Sequence, residues 1–292
     1  MISPEEKAQE INRLIALVNN SEISSIKKIV TQIISIINDP NSSAKDLKDI
    51  IEIDPPLSAK LLKLSNSAFY GYTKTINEIQ EAIVCIGFDA VKELALSQKV
   101  CELFKKDDYF HGYSRISLWK HSVAVAMCSK LIYRREFRER GENMYVAGLL
   151  HDIGIIVLDQ FQQEKFKAVL KKGRREKNNV ATVETSEIGF NHADIGMGIA
   201  RDWEFPDELV FGIGNHHNPE AIENGISKVI STIYLADYIC QMRKIGYCDT
   251  PYANKTLFQK CILKLKIKEK ALDFIVEEVE KEIKRMENSG WM

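Results

Sequence analysis

The chain has 292 residues, enough for one large domain or two ordinary ones, and 45% of them are hydrophobic, enough for a sizeable core. Lys and Arg total 40 against 41 Asp and Glu, a net charge of -1, which argues against non-specific attachment to DNA or to an anionic membrane surface while leaving room for a local basic patch. No apolar run approaches the ~18 residues of a membrane span, and the opening Met1-Ile2-Ser3-Pro4-Glu5-Glu6 has neither a basic nor an apolar signal region, so a soluble cytoplasmic protein is expected.

Helical periodicity dominates and strand alternation is nearly absent, so the predicted architecture is all-α. Residues 23–37 place Ile23, Ile26, Val30, Ile33 and Ile37 at three- and four-residue spacings, and Asn38-Asp39-Pro40-Asn41 stops them. Ser43 can cap a helix whose apolar positions are Leu47, Ile50 and Ile51. Asp54-Pro55-Pro56 breaks the chain ahead of a helix over 57–67, where proline suits the first turn. Tyr70-Gly71-Tyr72 reads as a turn. Helices follow over 76–86, ended by Gly87, and over 88–104. Residues 105–114, with Asp107, Asp108, His111 and Gly112, read as a polar connector in which His111 is exposed.

Beyond the connector, a long helix is expected over 114–135 and a shorter one over 142–151 that ends at Gly154. Residues 161–172 are helical, and the charged stretch 171–179 reads as a solvated loop or helix end. Further helices cover 192–203 and 207–213, with Pro206 between them, then the apolar 226–242. The stretch 268–286 sets Leu272, Ile275, Val279, Ile283 and Met286 on one face, for packing or for a dimer seam. The six cysteines (Cys85, Cys101, Cys128, Cys240, Cys248, Cys261) form no Cys-x-x-Cys pair and read as reduced, mostly buried residues.

The chemistry sits in the histidines. Five of the six fall in one series with aspartates: His121, His151-Asp152, His192, His216-His217 and Asp237. His121 shares an apolar helix face with Val125 and Cys128, so it points inward. One such histidine alone reads first as a satisfied core residue. Asp237 shares a face with Ile230, Ile233 and Cys240, where a carboxylate needs a positive partner, either Arg or Lys or a metal cation. Adjacent helical residues diverge by about 100°, so His151 and Asp152 reach one cluster only at the helix end, where Gly154 lets the backbone turn. His192 follows Asn191, a helix cap, and the His216-His217 doublet precedes Asn218-Pro219. Imidazole and carboxylate donors together suit Fe, Mn, Zn or Ni better than Mg or Ca. Two such cations about 3.5–4 Å apart can share a bridging carboxylate and clamp a phosphoryl oxygen.

The series His121, His151-Asp152, Asp237 resembles the HD superfamily of metal-dependent phosphohydrolases. Residues 53–70 (IDPPLSAKLLKLSNSAFY) and 79–88 (IQEAIVCIGF) resemble the signature of the HDOD domain of bacterial signalling proteins, and the run from His192 through Arg201-Asp202-Trp203-Glu204-Phe205-Pro206 to His216-His217 is similar to its later part. The resemblance implies an HD-like helical bundle behind an N-terminal helical subdomain. It divides the chain into an N-terminal helix over 1–22, a domain over 23–245 with halves 23–110 and 111–245, and a helical extension over 246–292. It implies metal ligands at His121, His151, Asp152, His192, His216, His217 and Asp237, at most two divalent ions, and Asp152 as the bridging, catalytic carboxylate. The same order resembles the HD-GYP cyclic di-GMP phosphodiesterases. This chain departs from them: Ile155 stands where they carry a lysine, and 218–225 contain no Gly-Tyr-Pro. Ser117 also lacks the carboxylate that a third metal would need. Three readings follow: a phosphohydrolase acting on a phosphoester or nucleotide, a catalytically silent module that contacts a signalling partner, and a nucleotide receptor. A homodimer is a further expectation, and no specific nucleic-acid partner is expected, with the Lys171-Lys172-Gly173-Arg174-Arg175 run read as solvated.

Overall fold

Local capping chemistry sets where the helices begin. In this computed structural model, which describes residues 2–67, 70–71, 73–106, 108–221, 226–248 and 254–288, α1 (Pro4–Asn19) opens on a capping box between Ser3 and Glu6, with Pro4 at its first position. A 3-10 turn over Glu22–Ile26 precedes α2 (Lys27–Asn38), so Ile23 and Ile26 reach the core from that turn rather than from the expected helix. Ser43 caps α3 (Ala44–Glu52) and Asp54 caps α4 (Pro55–Ser65). Next comes α5 (Ile79–Ile86), which begins three residues later than the expected 76. The cause is Asn66, whose side chain holds both backbone groups of Ile76, at 2.7 Å each, and leaves none for a helix. Gly87, at φ 101°, turns the chain into α6 (Phe88–Val100), which gives way to a 3-10 turn over Cys101–Phe104. Helices α2 to α6 pack on one another as the N-terminal half.

The connector is more than a polar linker. Tyr109–Phe110 (β1) and Tyr113–Ser114 (β2) pair antiparallel through a tip where His111 and Gly112 both have positive φ. His111 is exposed as expected, but Tyr113 is fully buried, edge-on to Phe166 and Tyr247. Asp107 of the connector and Tyr72 of the expected turn lie outside the described residues.

The second half is built on α7 (Arg115–Ile132), started by a Ser114–Ser117 capping box. Arg115 is pinned there: its Nε lies 2.5 Å from Asp159 and its Nη1 donates to the Leu103 carbonyl. Then come α8 (Glu142–Leu150), α9 (Ile153–Phe161), α10 (Gln163–Glu176), α11 (Val180–Ile188), α12 (His192–Asp202), α13 (Asp207–Gly214), α14 (Ile226–Met242), α15 (Lys255–Leu265) and α16 (Glu269–Asn288). The charged stretch after 171 is mostly the end of α10, closed by Lys177 in the left-handed conformation. Helices α8, α14 and α16 pack around α7, and α1 lies on α12. The apolar face of α16 is buried against its own chain, where it serves as a packing face.

The segment Glu142–Phe161 is long and apolar enough to cross a membrane by length and composition, but 89% of its window is buried inside the protein. It is two core helices, α8 and α9, with His151 and Asp152 at the turn between them. The six cysteines form no disulfide among the described residues; Cys128, Cys240 and Cys261 are buried and the other three half-buried.

Candidate metal centre

Three of the seven expected ligands lie on helices and four in the turns that follow α8 and α13, and all meet at one place. His121 sits two turns into α7, His151 and Asp152 lie between α8 and α9, and His192 is the first residue of α12. His216 and His217 follow the end of α13, and Asp237 lies mid-way along α14. Asn191 caps α12 through a box with Asp194, which fixes the entry of His192. Six of the seven are buried, and His217 is half-buried.

Asp152 divides the site. Its Oδ1 lies 3.2 Å from His192 Nε2 and 3.6 Å from His216 Nε2; its Oδ2 lies 3.1 Å from His151 Nε2 and 3.9 Å from His121 Nε2. Asp237 Oδ1 stands 3.0 Å from His121 Nε2 and 4.0 Å from His151 Nε2. His217 Nε2 is 2.8 Å from His192 Nε2. Donors each about 2.0–2.2 Å from a common Zn²⁺-like ion stand roughly 3.0–3.5 Å apart, and these separations fall near that range. Two groups of donors result: His121, His151 and Asp152, flanked by Asp237, and Asp152, His192, His216 and His217.

The far side of three rings fixes which nitrogen faces the cluster. His151 Nδ1–H donates to the Gly148 carbonyl and His216 Nδ1–H to the Ile213 carbonyl, each at 2.7 Å. His192 Nδ1–H donates to Glu184 Oε2, also at 2.7 Å. A carbonyl can only accept, so in His151 and His216 the hydrogen sits on Nδ1 and the Nε2 lone pair points inward. Both of those Nε2 atoms are buried and make no aligned hydrogen bond. Buried, orphaned nitrogens next to shared carboxylate oxygens are what a cation requires, so the residues fit divalent metal.

The electrostatics agree. Burial pushes the Asp152 carboxyl up, but His151 beside it and the His151, His192 and His216 contacts outweigh this and hold it well below the usual carboxylate range. Asp237 is likewise lowered, with burial opposed by its hydrogen bond to His121. Among the described residues no lysine or arginine pairs with either carboxylate; the side-chain nitrogens within 4 Å are those of histidines and, at Asp237, Gln241. Burial lowers His216, and it lowers His217 well below the ordinary imidazole value with the help of His216 and His192. Burial also depresses His192, but Glu184 and Asp152 reverse that and raise it well above.

Gly154 has a different part from the expected one. The chain turns at His151 and Asp152, and Gly154 is already helical in α9. A Cβ at 154 would stand 2.0 Å from the His192 carbonyl oxygen, so this glycine lets α12 approach. Gly246, at φ 76°, does the same over α7: a Cβ there would lie 2.4 Å from the His121 nitrogen. Two supporting side chains escape sequence reading. Gln241 donates to Asp237 Oδ1 at 2.8 Å, and Glu184 backs His192. Gln241 follows Asp237 by one helical turn, a spacing that could have flagged it; Glu184 lies on a different helix from His192, and no motif carries it.

A model of the HDOD domain matches residues 23–219. The chain belongs to the HDOD domain family. The match ends before Asp237, yet α14 completes the cluster. An HDOD domain protein of unknown function from Geobacter sulfurreducens is similar in crystal structure: TM-score 0.74, 26% identity, 89% of this chain and 90% of that one. So is a protein from Marinobacter aquaeolei VT8 provisionally designated a signal-transduction protein, at TM-score 0.73 and 23% identity over 90% of this chain and 58% of that one. A provisionally designated phosphohydrolase from Shewanella amazonensis SB2B shares the fold at TM-score 0.63 and 23% identity, covering 87% and 88%. An uncharacterised protein from Treponema pallidum (strain Nichols) is 26% identical over 231 residues, 74% of this chain and 42% of that protein. The chain thus spans less than half the length of that relative.

Proposed function

We propose that this HDOD protein is a signalling component whose centre binds two divalent cations, of Fe, Mn, Zn or Ni, and hydrolyses a phosphoester, with nucleotides as the substrate class. The split of Asp152 carries the reading: one carboxylate oxygen faces His192 and His216, the other His151 and His121. A carboxylate so placed would offer one oxygen to each of two ions. When bound, such a pair supplies a hydroxide nucleophile and a clamp on the phosphoryl oxygens. The protein's own contribution is to hold the Nε2 lone pairs inward through Gly148, Ile213 and Glu184, and to keep the buried Asp152 and Asp237 ionised. His217, the half-buried ligand, marks the side from which substrate enters.

Ile155 favours a second reading. It stands where the HD-GYP enzymes carry a lysine, and it is packed in the core, so no cation for a substrate phosphate comes from that position. In this reading the metal braces α7, α8, α12, α13 and α14, the site turns nothing over or only binds a nucleotide, and the output is contact with a partner protein. The test is metal analysis of wild type, His151→Ala and Asp152→Ala, with turnover of bis(p-nitrophenyl) phosphate measured separately. Two ions per chain with turnover lost in both variants supports the hydrolase. Two ions without turnover selects the second reading. Metal-free wild type refutes both roles for the metal.

A further inference from the structure

The two halves of the centre differ in charge. The first holds one oxygen of Asp152, all of Asp237, and two imidazoles; the second holds the other oxygen of Asp152 and three imidazoles. A second ion would therefore sit among mostly neutral donors. Behind that half lies Glu184 on α11, a fully buried carboxylate. Its Oε2 accepts both the backbone N–H of His192, at 2.9 Å, and the ring Nδ1–H, at 2.7 Å. Its Oε1 has no hydrogen-bond partner among the described residues.

A buried carboxylate with one oxygen unused is costly. Glu184 shares in capping α12, taking the His192 N–H while the Asn191 box takes that of Asp194, but a cap alone accounts for neither its full burial nor its bond to the ring. Beside that N–H, Glu184 reaches one ligand ring, from the side opposite the cluster. A carboxylate hydrogen-bonded to a ligand imidazole fixes its tautomer and orientation and makes it a stronger donor. With Glu184 counted, each half has a share of Asp152 and one further carboxylate: Asp237 directly, Glu184 through the His192 ring.

We infer that Glu184 is a positioning residue dedicated to the second cation, the one held by Asp152 Oδ1, His192, His216 and His217. The inference rests on the metal reading above. It makes the two ions separable, because the carboxylate that supports each one can be removed independently.

The experiment measures Zn²⁺ affinity by competition with a chromophoric chelator, together with bound metal per chain. It uses purified wild type, Glu184→Gln, Asp237→Asn and the double variant. Glu184→Gln is nearly isosteric, and far-UV circular dichroism checks that it folds; should it fail to, Glu184→Asp carries the same test, since it keeps the charge but pulls it back from the ring. Wild type holds two ions. Glu184→Gln is expected to weaken one of them by about 10–100-fold, the usual effect of losing such a partner, and to leave the other unchanged. Asp237→Asn weakens one ion, and the double variant weakens both. Equal weakening of both ions by Glu184→Gln overturns the inference, as does an unchanged second ion, or a double variant that still retains one ion at wild-type affinity. Metal-free wild type is a separate outcome: it removes the metal reading itself and this inference with it.

Discussion

Replacing Gly154 with alanine should damage the metal centre more than the fold. The added Cβ would lie 2.0 Å from the His192 carbonyl oxygen, 2.8 Å from its carbonyl carbon and 3.0 Å from its Cα. All three are backbone atoms at the start of α12, so no side chain can swing aside. A carbon–oxygen contact needs about 3.3 Å, so α9 and α12 must separate by more than about 1 Å. Overpacking of this kind costs about 1–3 kcal/mol, which lowers Tm by roughly 2–12 °C for a chain of this size. The separation falls between Asp152, which enters α9, and His192, which begins α12, whose facing atoms are now 3.2 Å apart. Metal sites tolerate displacements of only about 0.2 Å. Gly154→Ala should therefore remain folded by circular dichroism yet lose at least one ion by elemental analysis. Full metal content with an unshifted melting curve would refute the close-approach argument.

Two further expectations concern the frame around the centre. Arg115 and Asp159 form an ion pair in which both side chains are at least 96% buried, and Tyr113 donates to the same carboxylate. Asp159→Asn leaves a buried guanidinium without its counter-charge, and should cost about 3–5 kcal/mol, read by chemical denaturation; a loss under about 1 kcal/mol would mean that Arg115 finds water instead. Asp54 accepts from the Leu57 N–H and from Lys99, at 2.6 Å. Burial pushes its carboxyl up, but the Lys99 and Leu57 hydrogen bonds prevail and lower it. A lowered folded pKa gives stability that is present above the unfolded value of about 3.9 and is lost as pH falls through the folded one. Asp54→Asn keeps a good N-cap but removes the charge, so it should be less stable than wild type at pH 7, and the gap should close below about pH 4. A gap independent of pH would locate the effect in the cap.

What the sequence disclosed, and what it hid, follows from where each signal resides. Ser43 and Asn191 cap the helices their positions suggest, because a cap is a local contact between a side chain and the backbone three residues on. The face of α16 was legible because half of it is wet, which leaves a period to read. α9 was not, because Ile153 to Asp159 are all buried; a segment apolar on every side has no period. α11 was also missed, α15 was expected only as part of a helical extension over 246–292, and the hairpin at Tyr113 is too short to alternate. The ligand series stood out because histidine and aspartate inside apolar runs need a reason. The features that make these residues a centre did not. Gly154 resembles a turn residue until the His192 carbonyl is placed over it. Glu184 resembles a surface acid until α11 brings it behind His192. The carboxylate count of the second half depends on that contact between two helices. Residue types therefore point to metal, while the balance between the two proposed cation positions would rest on packing.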